Sequence, residues 1–243
     1  MSKSDKPASP YPGANPGGGD KTKLYVIIGA VVAVVILAVV AVLLTSSGGG
    51  SKSNASKKGT GAFAAANAER EQAPIKVTGT PLASYPESQT VLVPPAQDPA
   101  VGQTPPKLEG VSFDGSNVTI DPADGRAKVI IFLAHWCPHC QNEVPRIQNW
   151  INEGKQPKDV DIYAVSTSVS SDRVNYPPSK WILREDFGPQ VLLDGADSPA
   201  AKAFSLPGFP YFVALNADGT VAQRGSGEVP IEQFEQVVKA LKL

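Results

Sequence analysis

Residues 127–140 read AKVIIFLAHWCPHC, and the fold can be worked out from this stretch outward. Its first half, residues 127–133, is a mainly apolar run rich in β-formers, which is typical of a strand buried on both faces. Pro138 suits a first helical turn, and apolar residues then recur at helical spacing across residues 144–151. Residues 160–165 form a second apolar run. Strand, helix and strand in this order predict a parallel βαβ unit.

The rest of the C-terminal half completes the pattern. Four further segments predict a short strand, a short helix, a hairpin around Asp218-Gly219 and an amphipathic helix, at residues 190–193, 198–204, 211–223 and 231–241. A parallel βαβ unit followed by a hairpin and a terminal helix predicts the thioredoxin fold. That fold is an α/β domain with a central mixed sheet flanked by helices. Residues 106–121, with Asp114-Gly115 among them, predict an extra N-terminal hairpin.

The N-terminal third has a different composition. Residues 1–23 are rich in Pro and Gly, and we expect a disordered cytoplasmic tail. Residues 24–44 are almost entirely apolar, and as a helix they would be roughly 30 Å long, enough to cross a bilayer. Residues 45–74 are rich in Gly and Ser, which predicts a flexible linker. The thioredoxin-like domain would then occupy residues 75–243.

Two alternatives to a transmembrane helix exist for residues 24–44. A buried core helix would need a polar face, which this run lacks. A cleaved signal peptide would have a shorter apolar region and a small-residue cleavage site. An uncleaved single-pass helix is therefore favoured. Lys21 and Lys23 directly precede the run, so we expect the N-terminus in the cytoplasm and the domain outside the cell membrane.

Overall composition excludes several classes of protein. Apolar residues make up 42% of the chain, which excludes a wholly disordered protein. The formal net charge of −1 argues against a basic nucleic-acid binder, so no nucleic-acid partner is expected. The chain has only two cysteines, Cys137 and Cys140, which cannot form the multi-disulfide framework of a small secreted scaffold.

The cysteine pair carries the predicted chemistry. Cys137 would begin a helix, where free backbone N–H groups and the helix dipole favour a thiolate. Cys140 lies one turn later on the same face, within reach of a disulfide. Such a pair can cycle between dithiol and disulfide by exchange with another protein's sulfur atoms. With Trp136 in front and a βαβ context, the spacing strongly indicates a redox site.

Other interpretations of these residues stay open. The pair could be a static disulfide, although a loop of two residues constrains the unfolded chain little. Cys137 and Cys140 could instead bind copper or zinc together with His135 and His139, which are the only histidines in the chain. The redox interpretation requires no cofactor and no metal. In that interpretation His139, if protonated, stabilises the Cys137 thiolate and so the reduced form.

These motifs resemble those of membrane-anchored, extracytoplasmic thiol–disulfide oxidoreductases of the TlpA/ResA type, across roughly residues 100–243. The shared positions are Trp136-Cys137 with Cys140, Glu143 and Pro145 in the following helix, and Gly208-Phe209-Pro210 before a strand. Cys-Pro-His-Cys is also the motif of DsbA, so Pro138 and His139 are expected to tune the redox potential.

The resemblance implies roles for further residues. Glu143 would tune proton transfer near the cysteines, and Trp136 would shield them. Pro210 would be the family's cis-proline and, with Phe209, would present an extended substrate. The implied partners are protein thiols or disulfides and a membrane redox protein. The implied activity is oxidation of exported proteins or, alternatively, reduction for cytochrome c maturation or metal-site assembly, at the membrane of a bacterium.

Overall fold

The computed structural model describes residues 71–87 and 91–243. The strands are β1 (Lys76–Thr78), β2 (Lys107–Val111), β3 (Asn117–Ile120), β4 (Ala127–Leu133), β5 (Val160–Ser166), β6 (Gln190–Leu193), β7 (Tyr211–Leu215) and β8 (Val221–Ser226). The α-helices are α1 (Pro138–Asn152), α2 (Pro178–Arg184), α3 (Pro199–Ala203) and α4 (Ile231–Ala240), and Pro95–Gln97 forms a short 3-10 helix.

The central sheet has five strands in the order β6-β5-β4-β7-β8. Strand β4 lies in the middle, parallel to β5 and antiparallel to β7, so that Ile131 is opposite both Ala164 and Phe212. All seven residues of β4 are buried. The sequence lacks polar alternation here because both faces of the strand are covered. The predicted βαβ unit, hairpin and terminal helix are confirmed, and the domain has a thioredoxin-like α/β fold.

Alternate residues of β4 serve two separate apolar layers. Val129, Ile131 and Leu133 pack with residues of α1 and α4 on one face of the sheet. Ile130 and Phe132 pack on the other face with residues of β2, β3 and α3. Because successive side chains of a strand point to opposite faces of the sheet, the apolar residues of β4 contribute to two separate cores.

The predicted N-terminal hairpin is also present. Strands β2 and β3 pair antiparallel, with Val111 opposite Asn117, and Gly115 in the connecting turn has a φ of 82°. Left-handed backbone of this kind favours glycine. β1 adds a third strand to the same small sheet. The hairpin covers the second apolar layer through Leu108, Val118 and Ile120.

Several elements were not expected from the sequence. Helix α2, strand β1 and the 3-10 helix are too short to give a periodic signal. Residues 71–74, expected at the end of the linker, pack onto the domain: Ala73 joins the core, and the buried Glu71 accepts hydrogen bonds from the backbone and hydroxyl of Ser179. The folded part therefore begins at least four residues before the expected boundary.

The predicted tail, transmembrane helix and nearly all of the linker lie outside the described residues. Within residues 71–87 and 91–243, none of the helices combines the length and the apolar character that crossing a bilayer requires.

A buried ion pair between Asp98 and Arg224 holds the chain before β2 against the central sheet. Arg224 of β8 and Asp98 are both fully buried, and Arg224 Nε donates to Asp98 Oδ2 at 2.8 Å. The same guanidinium donates to the carbonyl oxygens of Ala83 and Ser84 and to the Tyr211 hydroxyl. Because a buried charge is tolerated only when it is paired and hydrogen-bonded, this cluster holds Ala83, Ser84 and Asp98 against the edge strand.

Replacing Asp98 with alanine is expected to lower the free energy of unfolding by about 3–5 kcal/mol, because the Arg224 guanidinium would stay buried without its counter-charge. Urea unfolding followed by tryptophan fluorescence measures this loss. Glu109→Ala, which removes the partner of the exposed Lys76, is the matched control and should unfold close to the wild-type urea concentration. Equal midpoints for the two variants would contradict the proposed importance of the buried pair.

Candidate active site

The two cysteines lie where β4 passes into α1. Cys137 is the N-cap residue of the helix, and its backbone N–H donates to the carbonyl of Ala134 at 3.0 Å. Pro138 occupies the first helical turn, where its missing N–H leaves no hydrogen bond unmade. Val144 and Ile147 fix the helix by packing into the first core layer. The start of α1 therefore has one defined position at the end of the central strand.

The Cys137 thiol is the more acidic of the pair. It receives hydrogen bonds from the Cys140 thiol and from the backbone amides of His139 and Cys140, and these lower its pKa to about 6. Partial burial opposes that shift, and the charge on His139 adds to it. At neutral pH the Cys137 sulfur is mainly a thiolate, the reactive form of the group.

Cys140 behaves in the opposite way. Its side chain is fully buried, and this burial is the main reason that the pKa of its thiol is raised. The neighbouring Cys137 sulfur and the Glu143 carboxylate raise it further. Cys140 therefore stays protonated and donates a hydrogen bond to Cys137. Both cysteines are free thiols in this structure.

Cys137 lies beside an aromatic pair formed by Trp136 and Phe209. Its Sγ lies 3.7 Å from the carbonyl oxygen of Phe209, and the Phe209–Pro210 peptide bond is cis, as the family resemblance implied. The Trp136 ring meets Phe209 edge-on, with ring centres 5.7 Å apart. Trp136 Nε1 donates to the carbonyl of Ser168 at 2.8 Å, and the Arg173 guanidinium stacks on its indole. Little of Cys137 is left open to water.

Glu143 is a buried acid close to the pair. Its side chain is fully buried, and burial raises its pKa to about 7, against the opposing effect of the Arg146 guanidinium. Arg146 Nη2 donates to Glu143 Oε2, while Glu143 Oε1 has no hydrogen-bond partner among the described residues. A carboxyl group in this state can both accept and release a proton near neutral pH.

Sequence reasoning missed Glu228 and Arg146. His139 is exposed at the helix start, and its Nδ1 lies 2.6 Å from Glu228 Oε1, a contact that raises the pKa of His139. Glu228 Oε2 accepts from Arg146 Nη2 at 3.0 Å. We call the exposed group formed by His139, Asn142 and Glu228 the mouth of the site. Glu228 follows β8 in an ordinary loop sequence, so no motif marked it.

His135 does not join the other predicted site residues. Its Nδ1 lies 2.7 Å from the carbonyl oxygen of Val174, and its Nε2 accepts from the backbone N–H of Ser170 at 3.2 Å. Both ring nitrogens therefore hold the loop after β5, and neither is free to bind an ion. Nowhere in the described part of the chain are three Cys, His, Asp or Glu side chains gathered around a possible metal site. The four side chains named for the metal-binding alternative are therefore not brought together here, because the His135 ring contacts the loop after β5.

Comparison with known proteins identifies the family. The Redoxin family model matches residues 96–241, which include the cysteine pair, the cis-proline and α4. The chain belongs to the Redoxin family. It is a thiol–disulfide oxidoreductase, and it is similar to proteins that bear that description.

Two redoxin relatives illustrate the similarity. The thiol-disulfide oxidoreductase ResA of Bacillus thuringiensis is 22% identical over 141 residues, which cover 58% of this chain and 78% of ResA. The TxlA homolog of Synechocystis, a thiol:disulfide interchange protein, is 26% identical over 118 residues, covering 49% of this chain and 51% of the relative.

A solved structure shows the same fold. The crystal structure of a DsbF homologue from Corynebacterium diphtheriae aligns with a TM-score of 0.52 at 15% identity, covering 67% of this chain and all of that one. At 15% identity this similarity shows that the two chains share a fold.

Replacing His139 with alanine is expected to raise the pKa of Cys137 above about 6, because the imidazolium no longer stabilises the thiolate. The backbone amide is kept, so the rise should be smaller than in Cys140→Ala, which removes the largest stabilising contact. Thiolate absorbance in the ultraviolet, followed against pH, measures both. Lys239→Ala, which removes an exposed cation of α4, is the control. A rise as large in the control as in His139→Ala would show that the effect is not local.

Proposed function

We propose that the chain is a membrane-anchored extracytoplasmic oxidoreductase that exchanges a Cys137–Cys140 disulfide with protein substrates, chiefly as an oxidant of exported proteins. The observation that carries this proposal is the unequal acidity of the pair. Cys137 is a stabilised thiolate at the start of α1, with a pKa of about 6, and Cys140 is a buried thiol with a raised pKa. One sulfur is prepared to react with a substrate, and the other is protected from it.

The oxidative reaction proceeds through a mixed disulfide. A substrate thiolate attacks Cys137 Sγ, forming the mixed disulfide and breaking the Cys137–Cys140 bond. Cys140 leaves as a thiolate and takes up a proton. A second substrate thiolate then attacks the substrate sulfur of the mixed disulfide, which forms the substrate disulfide and releases Cys137 as a thiolate. The substrate loses two electrons, and the chain gains them.

Neighbouring residues would assist these steps. Glu143, with a pKa of about 7, is placed to supply the proton that Cys140 takes up. The low pKa of Cys137 makes it a good leaving group in the final step. Trp136 and Phe209 exclude water on one side, and the extended backbone around Pro210 would pair with a substrate strand.

The opposite direction is a second candidate. A reductase for cytochrome c maturation or metal-site assembly needs Cys140 to lose its proton and attack Cys137 in a mixed disulfide. Buried Glu143 favours this alternative, because an acid with a pKa near neutrality can accept that proton. The two directions use the same residues and differ in the relative stability of the dithiol and the disulfide.

The proposed location rests on residues 24–44. This apolar run would cross the membrane once with the N-terminus in the cytoplasm, and residues 45–70 would join it to the domain. A tethered domain meets other proteins of the same membrane at a raised effective concentration. A membrane redox protein that restores the disulfide after each turnover fits this arrangement.

The cysteines can be tested separately. Cys137→Ser is expected to abolish exchange, because no thiolate remains at the start of α1. Cys140→Ser is expected to accumulate mixed disulfides with partner proteins, because the Cys137 thiolate can still attack a partner's disulfide but no neighbouring thiol is left to displace the bound partner. Non-reducing electrophoresis of membrane fractions, with and without reductant, measures both outcomes. The double variant is the control for non-specific capture. If Cys140→Ser traps no more protein than the double variant, the assigned roles are contradicted.

The direction of exchange is decided by the reduction potential, measured in glutathione buffers from the fluorescence of Trp136. We expect about −120 to −180 mV, the range of disulfide donors, because the reduced form is stabilised by the Cys137 thiolate. A potential of about −270 mV or lower would favour the reductase alternative. Absence of any reversible two-electron transition would contradict both.

A further inference from the structure

Glu228 connects two parts of the site through the two oxygens of one carboxylate. Oε1 lies 2.6 Å from His139 Nδ1 and accepts from Asn142 Nδ2 at 3.1 Å. Oε2 accepts from Arg146 Nη2 at 3.0 Å, and the same Nη2 donates to Glu143. A continuous series of charged contacts therefore runs from the exposed imidazole at the mouth of the site to the buried acid beside Cys140.

The segment that presents Glu228 is held on both sides. The backbone N–H of Gly227 donates to the carbonyl of Pro210 at 2.8 Å, and Val229 is buried in the first core layer. The Glu228 side chain itself is only 28% exposed. Because its backbone is already ordered, the carboxylate spends little conformational entropy in bridging its two cationic partners. This distinguishes it from an ordinary surface ion pair, whose long side chains must be immobilised.

We propose that Glu228 is a positioning residue of the redox site, which by this two-ended contact sets the charge on His139 and the charge on Glu143 together. The inference rests on the proposed function, since it concerns how exchange at Cys137 and Cys140 is regulated. Glu228 does not touch either sulfur, and it acts through its two neighbours.

The direction of each effect follows from the contacts. Glu228 raises the pKa of His139 by accepting its hydrogen bond. Its negative charge also adds to the rise in the pKa of Glu143, which burial mainly causes and Arg146 opposes. The charge of Cys137 acts on the pKa of His139, and the charge of Glu143 acts on the pKa of Cys140. Without the Glu228 charge, His139 would lose its proton at lower pH. Glu143 would do the same, because Arg146 would then pair with it alone.

Glu228→Gln in the full-length chain, purified in detergent, tests the proposal. Glutamine keeps the size of the side chain and an acceptor oxygen, so mainly the charge is lost. The chain has only two histidines, and NMR titration of labelled histidine therefore resolves His139. We expect the pKa of His139 to fall in the variant. We also expect a change in the rate at which Cys140 resolves a mixed disulfide. This rate should follow the ionisation of Glu143, whose pKa is about 7, and its pH midpoint should move to lower pH in the variant.

Two further variants keep the test decisive. Glu232→Gln removes an exposed carboxylate from α4 and should leave both titrations unchanged. Glu228→Asp keeps the charge but is one methylene shorter, so it cannot span both partners, and at least one of the two titrations should shift. If both titrations of Glu228→Asp match those of the wild type, the bridging role is wrong. If both titrations of Glu228→Gln match those of the wild type, the whole inference is wrong. If the wild-type chain itself performs no exchange, the proposed function fails and the inference fails with it.

Discussion

The hydrogen bonds that converge on the Cys137 sulfur are the interaction on which the rest of the site depends. Backbone amides at the start of α1 and the Cys140 thiol stabilise a negative charge at this atom. They can do so only if α1 begins at a fixed point. That point is fixed because β4 is buried along its whole length and because Val144, Ile147 and Trp150 pack the helix against it. The acidity of one thiol is thus a consequence of how the core is packed.

Groups that are close in sequence around the cysteines are held in different charge states, by burial in some cases and by hydrogen bonds in others. The Cys140 thiol and the Glu143 carboxyl are fully buried, and for both the neutral form is favoured. Cys137 keeps its charge because it is hydrogen-bonded, and the pKa of His139 is raised because Glu228 accepts its hydrogen bond. Within less than two turns of helix the structure therefore holds a thiolate, an imidazole with a raised pKa, a buried thiol that stays protonated and a buried acid with a pKa of about 7. This separation of charge states makes a two-step exchange possible.

Much of the fold could be predicted from local sequence, whereas much of the site could not. The apolar run of β4 and the helical spacing after Cys140 are strong sequence signals, because each element buries much of its length. The predicted ends of these two elements are therefore close to the observed ones. Helix α2 spans only Pro178–Arg184 and leaves no periodic signal. The contact between His139 and Glu228 joins residues 89 positions apart, and local patterns cannot indicate such a pairing. His135 was grouped with the cysteines by proximity alone, although its ring serves the loop after β5.

Strand β8 shows why these distant contacts belong together. Arg224 on this strand holds Asp98 of the N-terminal segment, while Gly227, just beyond its end, donates to the carbonyl of Pro210. The next residue is Glu228, which reaches His139 and Arg146. A single edge strand therefore connects the N-terminal segment, the cis-proline turn and the charges around the cysteines. On its outer edge β8 exchanges backbone hydrogen bonds with Val91 and Val93, and on its inner edge it pairs with β7, so the strand that leads into Glu228 is held on both edges.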